Sequence, residues 1–316
     1  MTTTLEMGQP LRVTFGETVS ELANADPRIV MLDGDVGSST RADIFEEAHG
    51  DRFFQMGIAE QNMLGVAAGM ASVGLVPFVS TFACFAVARP LDTIRVLIAQ
   101  PNLPVKITGG YAGLLAGMTG KTHLMFDDMS IMRAMPNMTV VSPADDVETA
   151  QALAALVDDD GPAYIRLTRQ ASPRIFSGDY RFEIGNSVVL RDGSDVTLIS
   201  TGTQAVRVFE AAEILADKGI DAHVLHVPTI KPIDQAGIVA AAEKTGFVIT
   251  IEEHTTIGGL GGAVAEVLAE HAPTPMRFHG ILDTYGESGP DAALLEKYRL
   301  SSGQVAAVIE EHLASR

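Results

Sequence analysis

The chain has 316 residues, 47% of them hydrophobic and 20% charged, which suits two globular domains with a large core and excludes a disordered chain. A formal net charge of −18 argues against nucleic acid and anionic membranes as partners. The single cysteine, Cys84, excludes an intrachain disulfide and a cysteine-built zinc site. A basic, then apolar leader is missing from the first residues, and Gly, Pro or charge interrupts the apolar runs. A cytoplasmic chain without a membrane span is expected.

In chain order, Thr14 to Ala25 reads as a helix and Arg28 to Asp33 as a buried strand. That strand ends in the Gly/Ser-rich loop Gly34 to Thr40, at a carboxyl strand end where ligands of open α/β sheets collect. Next comes Phe53-Phe54-Gln55-Met56-Gly57-Ile58-Ala59-Glu60, with apolar residues at helical spacing from Met63 to Val73. Glu60 then opens a helix. It serves either the helix dipole or acid/base chemistry at the rim of an apolar site. A strand follows over Val76–Phe82, a helix from Ala83 to about Ala99, and a strand over Val105–Gly109. Residues 110 to 128 show little periodicity, and a loop that long is usually functional.

Met138–Ser142 is the next strand, and Ser142-Pro143-Ala144-Asp145 reads as a helix start with Ser142 as N-cap. Val147, Ala150, Leu153 and Leu156 form that helix's apolar stripe. The strand Pro162–Thr168 carries Arg166 and leads to Arg169. After a turn-rich stretch, strands at 196–202, 222–227, 246–252 and 276–282 alternate with helices at 203–218, 234–243 and 262–270. This alternation predicts an α/β fold of two doubly wound domains with mainly parallel sheets. The expected division is 8–175, a linker at 176–194, and 195–316. His223, His226, His254 and His271 receive no chemistry. Glu252-Glu253-His254 lacks metal-site spacing and is expected to end a strand at an interface. Asp127-Asp128 and Asp158-Asp159-Asp160 are expected to be solvated caps or turns.

Five motifs then occur in one order: Met56-Gly-Ile-Ala-Glu60-Gln61, Ser80-Thr-Phe82-Ala-Cys-Phe85, Gly120-Lys-Thr-His123, Pro136 to Asp145, and Leu167-Thr-Arg169-Gln170. As a set they resemble the pyrimidine-binding domain of transketolase. Ile257-Gly-Gly-Leu-Gly-Gly262, with the βα pattern after it, resembles that family's C-terminal domain. The family's first domain holds a diphosphate and Mg²⁺ through a Gly-Asp-Gly motif; Asp33-Gly34-Asp35 has the wrong order and the wrong place. The resemblance therefore implies the C-terminal half of a split transketolase, whose partner is an N-terminal subunit carrying the diphosphate and Mg²⁺ ligands. An α2β2 heterotetramer with self-dimerisation is expected, and no metal ligands on this chain.

By the same resemblance, thiamine diphosphate supplies the carbanion chemistry, and a two-carbon ketol unit moves from a ketose, or its phosphate, to an aldose. Glu60 matches the glutamate that hydrogen-bonds N1′ of the aminopyrimidine. Phe82 and Phe85 match aromatics that enclose that ring, whereas a third aromatic position falls on Ala88. His123 matches a histidine that contacts substrate oxygen, and Arg169 an arginine that grips a terminal phosphate. Ser39 and Arg12 match further phosphate contacts. Tyr111 stands where the family has a phosphate-binding histidine, and Thr119 where it has an acidic sugar ligand. The terminal anion could thus be phosphate or sulfonate, and Lys121 could supply a replacement charge. Competing readings are a deoxyxylulose-phosphate-synthase-like chain, a 2-oxo-acid dehydrogenase β subunit, and an inactive structural paralogue.

Overall fold

The computed structural model describes residues 5–315. A short strand β1 (Met7–Pro10) precedes the first helix, Leu11–Ala25. Strands β2 (Ile29–Asp33), β3 (Phe53–Gln55), β4 (Val76–Phe82), β5 (Lys106–Gly110), β6 (Thr139–Val141) and β7 (Ala163–Arg166) follow and pair in parallel. β8 (Ala171–Pro173) turns back to pair antiparallel with β1. A second sheet is built from β9 (Val188–Arg191), β10 (Val196–Ser200) and β11 (Ala222–His226). β12 (Thr229–Lys231) comes next in the chain, and β13 (Val248–Thr255) and β14 (Met276–Ile281) complete the second sheet. The strand orders are β12-β6-β7-β5-β4-β2-β3 and β14-β13-β10-β11-β9. The two mainly parallel, helix-flanked sheets are the α/β architecture expected.

β12 leaves the second half of the chain and adds to the edge of the first sheet, antiparallel to β6. It sutures the two halves and covers an edge that would otherwise expose unpaired backbone groups.

Pleat alternation decides which side each strand residue joins. Ile29 and Met31 of β2 enter one core with Phe15 and Leu153, whereas Val30 and Leu32 enter another with Met63 and Ile107. The second of these cores also takes Ile199, Leu225 and Val248 from the second sheet, so one apolar mass joins both sheets. Central strands buried on both faces read as continuous apolar runs, as parallel sheets require.

Three local expectations are corrected. Asp145, not Ser142, caps the helix Asp146–Asp158: its carboxylate accepts the Glu148 amide at 2.9 Å, while Ser142 donates its own amide to the Pro228 carbonyl. The helix expected from Ala83 to Ala99 ends at Ala88, because Pro90 has no amide to donate and its ring crowds the preceding turn. A short turn at Leu91–Thr93 and a π-helical turn at Ile94–Ala99 follow.

Third, Asp128 is fully buried rather than solvated. It accepts from Arg166 Nε at 2.8 Å and from Tyr164 OH at 2.7 Å. Burial, then the Asp128 charge, holds the Tyr164 phenol protonated and so a donor. Arg166 also donates to the Glu253 carbonyl at 3.0 Å.

The triplet Glu252-Glu253-His254 ends β13 at the contact between the two halves. Glu252 accepts the amides of Leu260 and Gly261 at a helix start, and Glu253 accepts the Leu114 amide at 2.6 Å. Gly113, with φ +79°, must be glycine: a Cβ there would lie 2.3 Å from Glu253 Oε1. Two further histidines of this half also have structural partners. His226 hydrogen-bonds Glu148 at 2.8 Å, and His223 lies 3.2 Å from Asp192.

Burial pushes His254 down to about 4, so the neutral ring donates from Nδ1 to the Thr255 carbonyl, and its 3.8 Å approach to Asp128 is no ion pair at neutral pH. A depressed histidine stabilises the fold above its ordinary value of 6.5, and the contribution is lost as pH falls towards 4. Burial pushes Glu252 up to about 7, with the opposite slope: its contribution is present below 4.5 and lost as pH rises through about 7. Thermal unfolding of His254→Gln against the parent chain should separate them. We expect a shallower loss of stability between pH 6.5 and 4, by up to about 3 kcal/mol. An unchanged acid limb would show that His254 does not carry that slope.

Candidate active site

Asp33 ends β2 and organises the first loop. Its carboxylate accepts the amides of Val36 and Gly37 and the Gln55 side chain, at 3.0–3.1 Å. Burial pushes this carboxyl up, against those hydrogen bonds. The short helical turn Gly37–Thr40 that results presents Ser39. Arg12 supports it from below, donating Nη1 to the Ser39 carbonyl at 2.9 Å. Arg12 thus holds the loop rather than lining the cavity.

β3 runs into the Gly57 turn, φ +69°, and the helix Glu60–Ser72. Glu60 is the first helical residue and only 3% exposed. It lines a cavity of about 680 Å³ with Gln61, Asn62, Arg89, Thr93 and Leu97.

A second cavity, of about 580 Å³, gathers Ser39, Phe82, Tyr111, Thr119, His123 and Arg169, together with Gln170 and Asp291. Phe82 ends β4, and Phe85 lies one helical turn on. Their rings stack at 5.9 Å between centroids. Tyr111 stacks on Phe82 at 4.2 Å, and His123 meets Phe85 edge-on at 5.2 Å. Thr122 Oγ1 lies 2.9 Å from His123 Nδ1, which orients the imidazole.

One continuous path of contacts joins the two cavities. Glu60 Oε1 accepts from Arg89 Nη1 at 2.6 Å, and the Arg89 guanidinium lies 3.9 Å over the Phe85 ring. Phe85 stacks on Phe82, Phe82 on Tyr111, and the Tyr111 hydroxyl accepts from Arg169 Nε at 3.3 Å. The structure thus brings Glu60, Phe82, Phe85, His123, Tyr111, Ser39 and Arg169 to one face at the carboxyl ends of β2, β3, β4, β5 and β7. Lys121 is not among them: it is exposed and lines a separate groove of about 430 Å³ with Leu124, Phe126 and Tyr285.

Two features escaped the sequence reading. Arg89 directly follows the helix Ala83–Ala88 and reaches Glu60, so the Arg-Pro pair at the helix end was the available signal. Asp291, from the second half of the chain, accepts from Gln170 Nε2 and from the Gly117 amide, each at 2.9 Å. It pins the 110–128 loop over the cavity. Nothing in its local sequence marks it.

The arrangement offers a buried carboxylate, two stacked rings and a histidine beside a guanidinium-lined cavity. Such a set fits a flat, nitrogen-bearing ring at one end and an oxygen-rich, anionic substrate at the other. Burial also pushes the Cys84 thiol up to about 11, so it is no nucleophile at neutral pH.

Comparison with known proteins agrees. Residues 8–174 match the family "Transketolase, pyrimidine binding domain", and residues 185–305 match "Transketolase, C-terminal domain". A putative uncharacterized transketolase family protein of Sinorhizobium fredii is 44% identical over 96% of this chain and 90% of its own length. The 6-deoxy-6-sulfo-D-fructose transketolase subunit of a Clostridium species is 40% identical over 95% of this chain and 94% of its own. A solved split-gene transketolase, an inactive β4 tetramer, superposes with a TM-score of 0.89 at 44% identity, covering 97% of this chain and 99% of that one. The chain belongs to the transketolase family and corresponds to the C-terminal half, pyrimidine-binding plus C-terminal domain, of a split enzyme.

Proposed function

We propose that this chain is one subunit of a thiamine-diphosphate-dependent transketolase that becomes active on joining an N-terminal subunit. That partner supplies the diphosphate and Mg²⁺ ligands, in an α2β2 assembly with contacts between copies of this chain, in the cytoplasm. The observation that carries the reading is the unbroken contact path from Glu60 to Arg169, with rings between.

The cofactor, when bound, supplies the electron sink for breaking and making the carbon–carbon bond. This chain's residues do the rest. Glu60 holds a proton-sharing hydrogen bond to the ring nitrogen of the aminopyrimidine. Phe82 and Phe85 shield that ring from water. His123 hydrogen-bonds a sugar oxygen, and Arg169, with Ser39 and the Tyr111 hydroxyl, takes the terminal anion.

Among the described residues, Arg169 is the guanidinium lining that cavity and Asp291 its carboxylate. A terminal group of single charge, such as a sulfonate, suits this balance as phosphate does. The sulfosugar named for the Clostridium relative is therefore the first donor to try. The reading is tested by mixing the chain with its N-terminal subunit, cofactor, Mg²⁺, a ketose carrying labelled carbon in its first two positions, and an aldose. The label should appear in a ketose two carbons longer than the aldose. Label retained in the starting ketose by an assembly that binds the cofactor would contradict it.

Arg169→Ala should raise KM for an anionic sugar by about 10–100-fold, the worth of one charge-assisted contact, with a smaller change in kcat. Steady-state kinetics with an anionic and an uncharged sugar checks this. Equal losses for both would remove Arg169 from the anion site.

A further inference from the structure

Arg89 occupies the two groups that the proposed function assigns to the aminopyrimidine. Its Nη1 donates to Glu60 Oε1 at 2.6 Å, and its guanidinium plane covers Phe85 at 3.9 Å. Glu60 is 3% exposed, whereas Arg89 keeps 44% of its side chain in solvent. The carboxylate is therefore fixed and the guanidinium is free to leave. A planar cation with N–H donors satisfies a buried carboxylate and an aromatic face together, as a flat ring bearing N–H groups would. The helix ends at Ala88; Arg89 still has helical backbone angles, and the chain departs from them at Pro90, so Arg89 is the last side chain this helical turn presents to the cavity.

We propose that Arg89 is a displaceable place-holder for the pyrimidine ring. It keeps Glu60 paired and Phe85 covered in the chain alone, and it moves aside when cofactor and N-terminal subunit arrive. Entry of the ring breaks one ion pair, so the chain alone binds it weakly. Tight binding waits for the diphosphate contacts of the second subunit, which ties cofactor loading to assembly.

The inference rests on the proposed function, and the test separates the two. The probe is the hydroxymethyl aminopyrimidine half of thiamine, which needs no diphosphate site. It is titrated by ligand-observed NMR into the full chain, into Arg89→Met, which keeps the apolar stem, and into Arg89→Met combined with Glu60→Gln. Circular dichroism verifies that each variant is folded. Arg89→Met should bind up to about fivefold more tightly than the parent chain, the worth of a half-exposed ion pair. The gain should vanish in the double variant, because the freed carboxylate is its source. Equal or weaker binding by Arg89→Met would overturn the place-holder. So would undetectable binding by both, if the parent assembly binds thiamine diphosphate. An assembly that fails to bind thiamine diphosphate would instead take down the functional reading, and this inference with it.

Discussion

Glu60→Gln is expected to lower kcat of the assembled enzyme by about 10²–10⁴-fold, the range for loss of a positioned proton-transfer group. The substitution keeps the side chain's shape, and its amide oxygen still accepts from Arg89, so the fold and the cavity survive. What is lost is the charge and the ability to share a proton with a ring nitrogen. Glu60 is nearly sealed from solvent at the first turn of its helix, so water cannot take over the role. The effect belongs in kcat at saturating cofactor, not in KM for the sugars, because Glu60 lines a different cavity from Arg169. Glu47→Gln, an exposed carboxylate that lines neither cavity, serves as control. An unchanged rate in Glu60→Gln would remove the catalytic assignment and revive the reading of the chain as an inactive paralogue.

The largest effect on stability should come from Asp128→Ala, about 3–5 kcal/mol. Arg166 is 4% exposed and Asp128 fully buried, so the substitution removes the guanidinium's ion-pair partner in the interior and leaves it the Glu253 carbonyl as acceptor, with the Glu253 carboxylate nearby. It also leaves the Tyr164 hydroxyl without an acceptor. The thermal midpoint should fall by roughly 5–10 °C. A triple variant, Asp128→Ala with Arg166→Met and Tyr164→Phe, should recover most of that loss, because it removes every stranded polar group together. The Arg133–Glu266 pair makes the contrast: Glu266 keeps 69% of its side chain exposed, so Glu266→Ala should cost less than about 1 kcal/mol. If Asp128→Ala cost no more than Glu266→Ala, the buried network would not be an electrostatic unit.

The central strands were legible because burial on both faces forces uninterrupted apolar runs, and Gly or Pro punctuates their ends. The Glu60 helix was legible for the opposite reason: its apolar residues recur with the helical period. The site was legible through the resemblance of five ordered motifs to transketolase, and those motifs fall at strand ends and first helical turns. The features missed are those fixed by distant parts of the chain. Asp128 looked like a polar turn because its partners are Tyr164 and Arg166, more than thirty residues away. β12 carries too few residues to signal a strand, and it pairs across the two halves of the chain. β1 and β8 stabilise each other at the margin of the first half for the same reason. Lys121 looked like a candidate ligand because sequence neighbourhood to His123 was mistaken for spatial neighbourhood. An irregular loop does not preserve that relation.

The most direct measurement is calorimetric titration of thiamine diphosphate with Mg²⁺ into the purified chain and into the chain co-expressed with its N-terminal subunit. If this chain holds only the pyrimidine end of the cofactor, tight binding appears in the assembly and not in the chain alone. Glu60→Gln should weaken it in the assembly. Tight binding to the chain alone would contradict the account, because it would require a diphosphate site on these 316 residues.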